Sequence, residues 1–174
     1  MRFLFISRNN VHVRYYRKLI PLLGLQTELH VMGKPKLSAW RFLSAAWRCD
    51  LSDLIATQVR RKQAKQPVFW RNPVVLFLYR ALLAGFETLR LAKYLALLTE
   101  QKPDKVVLWN GKKLPNQTVV LAAEQLAIPV YFFENGLLPQ TTSLDPSGVN
   151  EAASLEKDPA FYLTQAHLTD MPFQ

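Results

Sequence analysis

The order of apolar and polar positions changes period several times along the chain, and each change predicts an element. Residues 2 to 7, RFLFIS, form a short apolar run that reads as a buried strand. From Val11 to Leu23 the spacing of Val11, Tyr15, Leu19 and Leu22 predicts a helix, which Gly24 stops. Residues 27 to 32, TELHVM, alternate as a second strand does, and Gly33 with Pro35 closes it. Strand, helix and strand make one βαβ unit.

Ser38 to Gln101 reads as helical almost throughout, with breaks near Cys49–Ser52 and at Gln66–Pro73. In the last of these helices Arg80, Glu87, Arg90 and Lys93 project to one side, and Leu82, Leu83, Phe86 and Leu89 to the other. That division predicts an amphipathic scaffold helix with its charged side in water. KVVLW, residues 105 to 109, is an unalternating apolar run of the kind found in strands buried on both faces. Asn110-Gly111 follows, then a helix from about Pro115 to Leu126 and a strand from Val130 to Phe133. The second βαβ unit makes the fold class α/β, a Rossmann-like, mostly parallel sheet with flanking helices. Beyond Phe133 the pattern gives polar turn residues and a long loop.

Composition narrows the class. A chain of 174 residues, 49% hydrophobic, is one ordinary domain or half of a two-domain enzyme. Its single cysteine, Cys49, cannot form an internal disulfide, which fits a reducing, cytoplasmic setting. The N-terminal apolar run is too short for a signal peptide, and Arg80, Glu87, Arg90 and Lys93 interrupt the tract from Val74 to Leu98, so no transmembrane helix is expected.

The formal net charge of +9 is concentrated in the first hundred residues. Such a surface attracts nucleic acid, anionic lipid or an acidic substrate. No RNP-type aromatic motif, zinc-finger spacing or helix-turn-helix pattern supports nucleic acid. An anionic membrane surface remains a candidate partner, at the inner face of the cytoplasmic membrane. The Trp40 and Trp47 pair, beside Arg41 and Arg48, suits either a core anchor, the favoured reading, or a membrane surface.

Parallel sheets bind ligands beyond the carboxyl ends of their strands, where strand order reverses. Three such ends are polar and carry Asn: Ser7-Arg8-Asn9-Asn10, Asn110-Gly111-Lys112-Lys113 and Glu134-Asn135-Gly136. None contains a dinucleotide or P-loop glycine fingerprint. Asn110-Gly111 also suits an ordinary turn. Glu134, where an apolar strand emerges, is the candidate acid or base, a capping or salt-bridged role being the alternative, and Gly136 would allow a close approach to ligand. His12, His30 and His167 have no metal-site spacing, so no metal is expected.

The stretch FFENGLLPQTTSLDPSGVN, with DPAFY at Asp158–Tyr162, resembles bacterial capsular polysaccharide biosynthesis proteins, which include retaining β-Kdo transferases using CMP-Kdo. The resemblance is specific from Glu134 to Tyr162 and architectural before it. It implies a GT-B-like enzyme with an acceptor-side Rossmann-like half first and a nucleotide-sugar half second. Glu134 matches the acidic residue of the family's Glu-Asn-Gly motif. Asp145 and Asn150 fall in its Asp-Pro-x-Gly-Val-Asn loop, where Asp145 either holds substrate or starts an Asp-Pro turn. Lys157 stands where the family pattern has Arg, and the neighbouring Pro is absent.

The resemblance thus implies Kdo transfer from a nucleotide sugar to a lipid-linked or sugar acceptor, with no other cofactor. Residues 1 to 174 would form the acceptor-side domain, and residues 137 to 174 the cleft loop and the segment leading to the donor domain. That second domain is not in the chain, so a fragment, an enzyme completed by a second chain, and a non-catalytic basic module binding anionic lipid or polyanion stand as the competing readings. A retaining mechanism also needs a nucleophile, expected in the other half.

Overall fold

A computed structural model describes residues 1–24, 26–32, 37–66, 68–136 and 141–148. Asn150, Gly33, Pro35, the Asp158–Tyr162 segment and His167 therefore lie outside the described residues. The elements run β1 (Arg2–Ser7), α1 (Asn10–Leu19), β2 (Gln26–Val31), α2 (Leu43–Trp47), α3 (Ser52–Lys65), α4 (Pro73–Gln101), β3 (Lys105–Trp109), α5 (Asn116–Gln125), β4 (Val130–Asn135) and β5 (Thr142–Asp145). The five strands form one sheet in the order β2-β1-β3-β4-β5. Its first four strands are parallel and β5 returns antiparallel to β4. This is the α/β, mostly parallel architecture of a Rossmann-like half-domain.

Alternation along the strands supplies both faces of the sheet. Leu4, Ile6, Val106 and Leu108 pack with Leu91, Leu95 and Leu98 of α4 and Val119 and Ala122 of α5. Phe5, Val107 and Phe133 face the other way and meet Tyr16 of α1. Phe5 and Tyr16 lie edge to face, with ring centroids 4.9 Å apart. Each fully buried Leu stabilises the fold by about 1.5–3 kcal/mol, so the second half of α4 anchors the sheet.

Four expectations are corrected. The first helix ends at Leu19 and tightens into a 3-10 turn at Ile20–Leu22, where Pro21 enters. Val13 and Tyr16 form its buried side, and Val11 and Leu22 are exposed. Gly24 does end the segment, at φ +59°.

The second correction concerns α4, where the expected division fails at most positions, Arg80 being exposed as expected. Glu87 and Lys93 are buried, at 1% and 8% exposure, whereas Leu82 and Phe86 are 63% and 64% exposed. The reason is a polar partner on α5. Thr118 Oγ1 donates to Glu87 Oε2 at 2.6 Å, and Arg90 pairs with Glu87 Oε1. A carboxylate with two partners tolerates burial that a lone one does not.

Third, Trp40 and Trp47 are exposed and are not core anchors. The short helices that carry them turn Phe42, Leu43 and the fully buried Ala46 toward the core instead. Fourth, residues 142 to 145 are a strand, where a loop was expected. Glu134 and Asn135 extend β4 and pair with Ser143 and Thr142 of β5. Gly136 N–H continues the ladder by donating to Thr141 O at 2.8 Å.

Candidate functional site

The chain leaves β1 toward β2 on one side, and β3 lies on the other, so strand order reverses between β1 and β3. Beyond their carboxyl ends a cavity of about 640 Å³ opens. Ser7, Arg8, Asn9 and His12 form one wall, and Trp109, Asn110, Lys113 and Asn116 form the other. Local chemistry fixes both walls. Asn9 caps α1, its Oδ1 accepting from Val11 N–H at 2.9 Å. Ser7 is buried and its carbonyl accepts from Met32 N–H at 2.9 Å.

Across the cavity Asn110 takes the left-handed conformation, φ +53°, that Asn tolerates better than most residues. Its Oδ1 accepts from Lys112 N–H at 3.1 Å. Asn116 Nδ2 then donates to the carbonyls of Trp109 and Asn110 at 2.6 and 2.7 Å, clamping the turn to the start of α5. The His12 ring stacks on Trp109, with centroids 4.3 Å apart and planes 12° from parallel.

The wall is electropositive. Arg8 and Lys113 line it, no carboxylate does among the described residues, and the first turn of α1 holds no acidic residue. The amino end of α1 adds the partial positive charge of its macrodipole. Burial holds His12 below its ordinary pKa, which keeps the imidazole neutral and able to accept a proton near neutral pH. The arrangement can therefore bind an anionic, hydroxyl-rich ligand through two cations and several amides. Among the described residues no cluster of His, Cys, Asp or Glu could hold a metal ion.

The sequence-based candidates divide. Ser7, Arg8 and Asn110 meet in this cavity. Gly111 does not. It lines a second cavity of about 450 Å³ with Asp50, Asp53, Lys112, Phe132 and Gly148, and a Cβ on it would run into the Phe132 ring. Glu134 is half-buried, laddered to Ser143, and lines neither of these two cavities. Asn135 is exposed opposite Thr142, and a Cβ on Gly136 would meet the side chain of Thr141. Asp145 Oδ1 accepts from Ser147 N–H at 2.7 Å, the geometry of a turn initiator.

Two lining residues were not foreseen as ligand groups: His12 and Asn116. Each lies a few residues past a strand end, and only the adjacency of β1 and β3 brings them together. Lys113 was visible as a cation after Asn-Gly, but no spacing rule joins it to Arg8.

No family profile matches the chain, and no solved structure matches it. Among curated proteins, "Protein FixF" of Sinorhizobium fredii (strain NBRC 101917 / NGR234) is 31% identical over 117 residues, a span that covers 66% of this chain and 29% of FixF. The chain thus corresponds to less than a third of the length of that relative.

Proposed function

We propose that this chain is the acceptor-side half of a glycosyltransferase-like enzyme of capsule or surface-polysaccharide synthesis, moving Kdo from CMP-Kdo to a lipid-linked or sugar acceptor. The observation that supports this reading is the electropositive crevice at the strand switch point, furnished by Ser7, Arg8, Asn110 and Lys113. A sugar acid or sugar phosphate offers the charge such a wall accepts and the hydroxyls its amides match. The Glu-Asn-Gly resemblance in the neighbouring strand supports it further.

In this reading Arg8 and Lys113 hold the anionic group of the acceptor, and Asn110 and Ser7 orient its ring. His12, neutral near pH 7, accepts the proton of the attacking hydroxyl. Glu134 lines neither of the two cavities described above, so its acid/base role is at the departing oxygen of CMP, once the donor half brings that oxygen to β4. Asn135, Gly136 and Asp145 shape the chain on that side.

The test has two arms. Binding of Kdo-terminated acceptor to the purified chain should weaken about tenfold or more in Arg8→Ala/Lys113→Ala, since each removes a charge-assisted contact. Transfer from CMP-Kdo, measured with a chain carrying the donor half supplied, should fall sharply in Glu134→Gln with the melting temperature nearly unchanged. Absence of binding and of transfer in that reconstituted system would reject the reading. A Glu134→Gln variant that loses several degrees but keeps full activity would remove Glu134 from it.

A further inference from the structure

We propose that the exposed face of the first half of α4 docks on an anionic lipid bilayer. The inference is independent of the crevice and of what it binds. Val74, Phe77, Leu78, Leu82, Phe86 and Leu89 are each between 41% and 70% exposed. Their spacing of three and four places them on one side of the helix. Ala81 and Gly85, also exposed, fill the same stripe, so no charge interrupts it. Scattered surface hydrophobes need no explanation, but a contiguous stripe several turns long marks a binding surface.

The turn before the helix extends the patch. Val68 and Phe69 are exposed, at 84% and 57%. Trp70 between them and the helix is buried and packs on Tyr79 at 4.7 Å, which fixes that turn to α4.

Charge selects the occupant. Between Leu54 and Thr99 the chain has one acidic residue, Glu87, and eight Lys and Arg. Glu87 is buried against Thr118 and Arg90, so no acidic side chain faces solvent within that span, and the exposed Asp53 and Glu100 fall just outside it, at the start of α3 and the end of α4. Arg71 and Arg80, just before and on α4, and Arg60, Arg61 and Lys65 of α3, which contacts α4, are exposed. An apolar centre with a cationic rim matches an anionic bilayer, which presents negative headgroups above hydrocarbon. A second copy of the same face would instead set two cationic rims against each other. No helix among the described residues is long and apolar enough to cross a membrane, so α4 would lie in the interface. Trp40 and Trp47, exposed beside Arg41 and Arg48, give neighbouring helices the side chains that favour the headgroup region.

Co-sedimentation with vesicles tests the proposal, comparing phosphatidylcholine alone with phosphatidylcholine containing phosphatidylglycerol. The chain should bind the anionic vesicles and not the neutral ones. Phe77→Ser/Phe86→Ser should weaken that binding at least about tenfold through lost apolar burial. Arg60→Gln/Arg61→Gln should weaken it and reduce its salt dependence. Circular dichroism melting of each variant confirms an intact fold, which exposed positions make the expected result. Equal binding to both vesicle types, or unchanged binding by the Phe variant, would overturn the proposal. So would light scattering that shows a dimer dissolved by the Phe variant, with no vesicle binding by the parent.

Discussion

Replacing Glu87 with alanine removes the acceptor of a buried hydroxyl and the counter-charge of Arg90 in one step. Thr118 is fully buried and its hydroxyl donates to Glu87 Oε2, so the variant strands that hydroxyl away from water. Arg90 is 31% exposed and can turn partly to solvent, which limits its share of the penalty. A lost hydrogen bond to a charged group costs about 1.5–3 kcal/mol. Removing one member of a fully buried ion pair costs about 3–5 kcal/mol, an upper limit that Arg90's exposure makes unattainable here. We therefore expect a loss of about 2–3 kcal/mol. For a domain of this size each kcal/mol moves the melting temperature by roughly 2–4 °C, so the shift should be about 4–12 °C. Glu87→Gln keeps an acceptor for Thr118 and should lose about half as much. Phe86→Ser, one residue away but exposed, should change stability by no more than about 0.5 kcal/mol. Thermal melts by circular dichroism on the three variants decide the matter. A Glu87→Ala variant that melts within a degree of the parent, or a Phe86→Ser variant that falls further than it, would refute the orientation of α4.

Two further predictions concern the crevice and the turn below it. His12 has a folded pKa below its ordinary value, so the folded chain binds fewer protons at this site than the unfolded one, and the site's contribution to stability falls as pH drops through about 6.5. A bound anion reverses that bias, so Kdo affinity measured by calorimetry should rise as pH falls from neutrality toward 5.5, and His12→Gln should flatten the slope; a slope that survives the substitution would clear His12 of the effect. Gly111→Ala should cost about 1–3 kcal/mol, since its methyl group overlaps the Phe132 ring, and urea melts read the loss; a neutral result would mean the ring yields freely.

Much of this was legible in the chain before its structure. β1 and β3 lie in the middle of the sheet, buried on both faces, so their sequences are unbroken apolar runs with a single reading. Ser7, Arg8 and Asn110 were legible because strand ends are where ligands bind in parallel sheets. The phase of α4 was not. Its charged side suggested a rotation, but the burial of Glu87 is decided by Thr118, which is distant in sequence. β5 was hidden for another reason: TTSLD is mostly exposed and next to an Asp-Pro turn, and only its pairing with Phe132–Asn135 makes it a strand. Glu134 therefore belongs to a ladder and not to the mouth of the crevice.

The continuity of α4 has a mechanical consequence. Its 29 residues form one rod about 44 Å long, opened by the Asn72 cap and Pro73 and closed at Lys102. One end carries the bare apolar stripe, and the other is packed under β1 and β3, whose tips form the crevice. A helix without an internal proline bends little, so both ends share one orientation. Whatever surface the first half rests on, the crevice is carried above it at a set height and tilt, so its distance from that surface is fixed by the helix rather than by a hinge.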